Sequence, residues 1–251
     1  ICGSYAHDLA LDLSRKCRNV VKSEKYRRLF PEVQISEDQD AKGYFTNTAG
    51  GSRYCVGTGG AVTGFHGHFL LVDDPLDPNA AGKLTQADLK EANRWVSETL
   101  PSRKVNKEVT VTVLVMQRLH QEDPSAILLK RRSAGIQVKH LKFPAEIDGS
   151  GLNQVTPRKY AACYVDGLLD PARLSKAVLA EYRVTLGQFG YSAQFLQTPV
   201  PLGGGMFKVS RFTIEPPPVP ADIKRVVRYW DKAGTKGGGA HTAGVLLAQT
   251  K

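Results

Sequence analysis

The sequence is poor in features that announce several protein classes. Only four cysteines occur, Cys2, Cys17, Cys55 and Cys163, and no two form a CxxC pair. That excludes a zinc ribbon and argues against a disulfide scaffold; reduced thiols in a cytosol-like compartment fit best. No run of about 18 apolar residues is present, so no membrane-spanning helix is expected. No signal-peptide pattern follows Ile1, and no internal repeat is evident. Acidic residues are few relative to basic ones: 24 Asp and Glu face 34 Lys and Arg, for a formal net charge of +10. The excess favours a polyanionic partner without naming it. What remains is ordinary globular composition, 41% hydrophobic and 23% charged over 251 residues, which excludes wholesale disorder. The length suits one large domain, or one domain and part of another.

The chain opens as a strand end followed by a helix. Ala6, Leu9, Ala10, Leu13, Cys17, Val20 and Val21 recur at helical spacing, which places them on one face. Arg15, Lys16, Arg18 and Lys22 fill much of the rest, with Lys25, Arg27 and Arg28 beyond. These charges read first as a solvated face and second as phosphate contacts. Residues 31–50 are polar and irregular apart from a strand-like stretch at 43–47, and glycines stud 50–60. The apolar run Phe69, Leu70, Leu71, Val72, stopped by Asp73, Asp74 and Pro75, reads as a buried strand of a parallel sheet. Thr85 and Asp88 form a capping box for a helix running to about Leu100, ended by Pro101. Residues 109–116 are almost all β-branched or aliphatic and predict a strand. Strands alternating with helices imply an α/β domain with a mainly parallel sheet.

From about residue 150 the texture changes. Asp170 and Pro171 predict a cap and first turn for a helix through Tyr182, and a second helix spans 189–197. Pro and Gly then break the chain, and residues 215–220 (EPPPVP) read as a stiff connector. Arg225 to Trp230 predict a strand ending at Asp231. A Gly-rich turn and a second strand at 242–248 complete a hairpin.

Gly59 and Gly64 have the spacing of a phosphate loop, but Phe65 and His66 stand where Lys and Ser or Thr are required. The loop also precedes a strand instead of following one, so the motif is rejected, and no dinucleotide fingerprint fits. Asp73 and Asp74 are more informative. Acids at the carboxyl end of a buried strand sit where α/β proteins bind ligands; one can hold Mg²⁺ through water and the other can orient an attacking water. The bland alternative is that they merely end the strand. Gln117 and Arg118 stand at the end of the next strand, an amide and a planar fork suited to phosphate, or else structural caps. His66 and His68 lie two apart and share a face if extended, but lack a third ligand nearby, so packed or hydrogen-bonded histidines at the strand entry are the favoured reading. Asp231 ends the Trp-Asp strand like the first acid of an RNase H-like nuclease, whose clustered carboxylates hold two metals. Residues 232–251 contain no Asp or Glu, so that cluster is incomplete.

Six segments in order complete the picture: residues 64–75 (GFHGHFLLVDDP), 99–103 (TLPSR), 115–120 (VMQRLH), 194–199 (QFLQTP), 203–207 (GGGMF) and 228–235 (RYWDKAGT). The chain resembles the large subunit of a tailed-bacteriophage terminase, and the resemblance covers nearly all of it. It implies a P-loop-type (ASCE) ATPase core with a mainly parallel sheet at 1–149, lacking its phosphate-loop start. A small helical lid at 150–198, a linker at 199–222 and the first hairpin of an RNase H-like nuclease at 223–251 follow. Residues 69–73 then resemble the Walker B strand, with Asp73 on Mg²⁺, Asp74 as the catalytic carboxylate, Gln117 and Arg118 in the coupling motif, and Asp231 as a nuclease metal ligand. The implied cofactors are ATP with Mg²⁺, and two divalent metals, Mg²⁺ or Mn²⁺, for the nuclease. The implied partners are double-stranded DNA, the terminase small subunit, the portal protein and further copies in a ring, with no membrane. The implied location is the bacterial host cytoplasm, at the procapsid portal. The phosphate-loop lysine and the later nuclease acids are missing from these residues, so the expectation is a central piece of a longer protein, inactive by itself. A helicase-like P-loop motor shares Asp73 and Asp74 but leaves the Trp-Asp hairpin unaccounted for. A non-catalytic basic DNA-binding module fits the charge but leaves Gln117 and Arg118 without a role.

Overall fold

In the computed structural model, which describes residues 1–148, 154–200, 216, 218–231 and 243–250, the chain divides into two units, Ile1–Gly203 and Gly204–Lys251. The first is α/β. Strands β1 (Cys2–Ser4), β2 (Ile35–Asp40), β3 (Tyr44–Asn47), β4 (Ser52–Gly57), β5 (Phe69–Asp73) and β6 (Val111–Val115) form one sheet in the order β2-β3-β4-β1-β5-β6. The sheet is mixed but mostly parallel: β4, β1, β5 and β6 run together, while β3 is antiparallel to β4 and β2 to β3. Around it lie α1 (His7–Lys22), α2 (Glu24–Leu29), α3 (Gln86–Arg94), α4 (Pro124–Ser133) and α5 (Lys176–Gln194). No helix among the described residues is long and apolar enough to cross a membrane.

Register decides what each face of the sheet carries. Cys2 stands opposite Cys55 and Leu71, Leu71 opposite Val113, and Asp73 opposite Ser4 and Val115. Residues opposite one another in a pleated sheet share a face. Val56, Leu70 and Val72 therefore share one face, and they pack with Val62, Trp95, Val96 and Leu100 into the main core. Gly3 lies on the same face, where a Cβ would stand 2.2 Å from Trp95 Cη2, so the indole leaves room only for glycine. Trp95 belongs to a π-helical turn, Trp95–Thr99, that continues α3 toward Pro101. The expected capping box is present: Thr85 Oγ1 accepts from the Asp88 N–H, and Asp88 Oδ2 accepts from the Thr85 N–H.

The other face is only half covered. α1 lies over β4 and β1, burying Ala10, Ser14 and Cys55. Over β5 and β6, Phe69 is 62% exposed and Val115 is 59% exposed, and Leu71, Val111 and Val113 join them in an open apolar strip. A cavity of about 240 Å³ lies along the strip, lined by Ala10, Leu13, Leu71, Val113, Val115 and Asp73 among others. The apolar run at 69–72 was expected to be buried throughout; in the structure only Leu70 and Val72 are.

Other expectations shift in detail. Residues 31–60 are more ordered than their polarity and glycines implied, since they supply β2 and β4. Asp170 caps only a turn, accepting from the N–H and Nε–H of Arg173, and α5 starts after Ser175, whose hydroxyl accepts from Val178 N–H. The two helices expected there are both present within Lys176–Gln194, separated at Gly187, whose φ of 62° and ψ of −178° are not helical. Ala145, Leu168, Leu179 and Tyr191 make the small core beneath α5. In the second unit β7 (Ile223–Asp231) and β8 (Ala243–Thr250) form the expected antiparallel hairpin, with Trp230 opposite Gly244. The Gly-rich turn, the segment at 203–207 and most of the linker lie outside the described residues.

Candidate functional site

Asp73 is the last residue of β5. Its place opposite Ser4 and Val115 puts it on the open face, where it lines the cavity beside Leu71 and Val113. Ser4 is fully buried, and its hydroxyl has no hydrogen-bond partner among the described residues. Asp74 is held between the exits of β1 and β6. Its N–H donates to Val115 O at 2.9 Å, and its carbonyl accepts from the Tyr5 N–H at 2.9 Å. These two bonds fix a left-handed backbone, φ 40°, a region that Asp tolerates better than most residues.

The β6 exit reaches back to this acid. Gln117 donates its backbone N–H to Asp74 Oδ1 at 3.2 Å. Burial raises the Asp74 carboxyl above the usual carboxylate range. The Gln117 bond opposes that rise, and the charge of Asp73 adds to it. The consequence for stability has a definite sign. A carboxyl that binds its proton more tightly when folded loses stability as pH rises above the ordinary value of 3.8. Asp74→Asn keeps an oxygen for Gln117 and tolerates the same backbone, while removing the charge. We expect it to unfold at a higher temperature than the wild type at pH 8, the gap closing as pH falls toward the ordinary carboxylate value. A variant no more stable than the wild type at pH 8 contradicts this picture.

Arg118 sits next to Gln117 but turns to a structural partner. Its Nε donates to both oxygens of Asp123, at 3.0 and 2.8 Å, and its backbone N–H donates to Gln197 Oε1 at 3.2 Å. Asp123 is fully buried and also accepts from the N–H groups of Leu119, His120 and Ala126. One carboxylate thus caps α4, closes the loop after β6 and neutralises Arg118. Sequence reasoning overlooked it, although Asp123 followed by Pro124 is the same cap-and-first-turn pattern read at Asp170 and Pro171.

The remaining candidates separate. His66 and His68 are exposed and precede β5 instead of lying in it. Asp231 closes β7, its backbone opposite Ala243, in the second unit. On α1, Arg15 and Lys16 pair with Asp12, while Arg18 and Lys22 pair with Asp40, as a solvated face does. Lys25, Arg27 and Arg28 are exposed. Among the described residues, no three His, Cys, Asp or Glu side chains gather into a metal-binding group.

Chemically, the β5–β6 end offers two adjacent carboxylates, an unsatisfied hydroxyl and a backbone donor that orients one of the acids. Mg²⁺ is commonly held by one or two carboxylates with waters and phosphate completing its shell, so this donor set fits a hydrated divalent cation. It does not fit a triphosphate without help, because the charge acting on Asp74 is that of a second acid. In comparison with known proteins, the chain matches no family model and no curated protein.

Proposed function

We propose that this chain is the central part of a tailed-bacteriophage terminase large subunit, a motor that couples ATP hydrolysis to translocation of double-stranded DNA. The observation that carries the reading is the acid pair at the carboxyl end of β5, joined to the exit of β6 by the bond from Gln117 N–H to Asp74. A ligand crevice beyond the carboxyl ends of parallel strands is the usual arrangement in α/β proteins. In this reading Asp73 holds Mg²⁺ through water, which would supply charge neutralisation at the phosphates. Asp74 sits where an attacking water is to be oriented, and the Gln117 N–H fixes the carboxylate that does so. Arg118 acts through Asp123, holding the loop that aims Gln117.

The open strip over β5 and β6 supports the same reading. Parallel sheets normally have both faces covered, and β6 is an edge strand. The P-loop strand, loop and helix that the resemblance implies would fill this space and bring the missing backbone donors and lysine. The nuclease, its two metals, the small subunit, the portal and the ring belong to the longer protein in this proposal. Asp231 alone does not make a two-metal site.

ATP hydrolysis tests the reading. The purified 251-residue chain is expected to show no sustained turnover. A longer protein containing it is expected to hydrolyse Mg²⁺-ATP, with Asp73→Ala lowering kcat by at least about 100-fold, the scale of losing one transition-state charge stabiliser. Sustained turnover by the chain alone, abolished by Asp73→Ala, would overturn the assignment of the phosphate cradle to other residues.

A further inference from the structure

Residues 124–165 hold seven Lys and Arg against two acids, half of the net charge of +10. Both acids, Glu146 and Asp148, fall between two acid-free stretches, 124–145 and 149–165. The fold clamps parts of these stretches together. Lys142 and Thr156 form an antiparallel pair, each N–H donating to the other's carbonyl, at 2.8 and 3.0 Å. The Tyr164 hydroxyl donates to Pro144 O at 2.6 Å. Between those ties the rings of Phe143 and Tyr160 meet edge to face, their centroids 5.6 Å apart. Lys159 Nζ stands 5.1 Å from the centre of the Tyr160 ring. Phe143 nevertheless keeps 37% of its surface exposed. Arg158 and Lys159 are exposed too, and neither pairs with an acid among the described residues.

We propose that Phe143 and Tyr160 form a stacking platform for single-stranded nucleic acid, with Arg158 and Lys159 on its phosphates. An uncovered aromatic ring, held in place beside unpaired cations, is complementary to a chain that carries flat bases and phosphates together. Bases reach such a ring only when they are unpaired; a duplex offers its phosphates but keeps its bases in the stack. An anionic membrane answers the same charges, but membrane-surface binding is the habit of amphipathic helices. Phe143 lies in no helix, and Tyr160 lies in a 3₁₀ helix of six residues, Arg158–Cys163. The inference goes beyond translocation of a duplex and does not rest on the roles of Asp73 and Asp74.

The test titrates the full chain into two labelled strands and follows fluorescence anisotropy. One is a thymidine oligomer of about ten nucleotides, within the usual range of single-strand site sizes. The other is an abasic strand of equal length, which keeps the phosphates and lacks the bases. The thymidine oligomer is expected to bind about tenfold tighter or more, the scale of stacking one base. Phe143→Leu keeps an apolar side chain against Tyr160 but no flat ring. It should erase most of that advantage while leaving abasic binding unchanged, which also shows that the variant is folded. Lys159→Gln should weaken both strands and lower the log–log salt slope by about 0.7. Equal binding of the two strands by the wild type, or an advantage that survives Phe143→Leu, overturns the proposal. Loss of binding to phosphatidylserine vesicles in Phe143→Leu, with both strands unaffected, assigns the face to a membrane and overturns it too.

Discussion

Asp123→Ala is expected to destabilise the first unit by about 3–5 kcal/mol, the cost of breaking a buried ion pair by removing one partner. Asp123 is fully buried, and the Arg118 side chain that it neutralises is only 15% exposed. The substitution strands that guanidinium and leaves the N–H groups of Leu119, His120 and Ala126 without their acceptor. Loss of the α4 cap alone is worth about 1 kcal/mol, so most of the effect comes from the uncompensated charge. Asp123→Asn keeps an acceptor for the backbone but not the charge, and should fall between wild type and Ala. Replacing Arg118 by Met in the Asp123→Asn background should recover part of the loss, because no buried charge is then left unpaired. Urea denaturation of the chain measures all four. A loss below about 1 kcal/mol for Asp123→Ala would mean that the pair is weakly coupled to the fold, as exposed pairs are.

The same carboxylate explains why the site was only partly legible in the sequence. β5 and its two terminal acids were readable because an apolar run with an abrupt polar stop is a one-dimensional signal. The α3 capping box and β6 were readable for similar local reasons. Asp123 was not, because its importance comes from Arg118 folding back on it, and that loop closure is visible only in three dimensions. β2 and β4 were hidden for another reason. β2 (ISEDQD) has two exposed acids at its centre and β4 (SRYCVG) is short and polar at its start, so neither shows a clean apolar alternation. They are strands because β3 and β1 lend them hydrogen-bonding partners. The uniform apolarity of residues 69–72 was informative in an unexpected way. It reports a strand adapted to cover on both faces, and the structure covers one. Gln117 was read as a side-chain amide for phosphate, whereas the bond to Asp74 comes from its backbone. That distinction predicts tolerance at position 117 for residues other than proline, as far as holding Asp74 is concerned.

The central claim is that Asp73 and Asp74 form the divalent-cation end of a nucleotide crevice. The arrangement has a cost that binding would offset. Two adjacent acids share one strand end, and burial together with Asp73 keeps the Asp74 carboxyl above the usual range. A cation at that point reverses the sign of the local field and favours the ionised form, so metal binding should release protons and strengthen as pH rises. Asp73 is half-buried like Asp74, but it is the one that lines the open cavity, so it is the residue whose loss should matter most. Asp73→Asn removes one charged ligand while keeping the size and the strand register. Supporting groups around metal sites change affinity by about 10–100-fold, so loss of the ligand itself should reach at least the upper end of that range.

Paramagnetic broadening by Mn²⁺ measures this most directly. Titrated into the 251-residue chain at neutral pH, Mn²⁺ is expected to erase the amide signals of Asp73, Asp74 and Gln117 first, and Mg²⁺ should restore them by competition. Asp73→Asn should leave those signals intact at Mn²⁺ concentrations that erase them in the wild type. Broadening that spares the β5–β6 end, or that is unchanged in Asp73→Asn, would contradict the account.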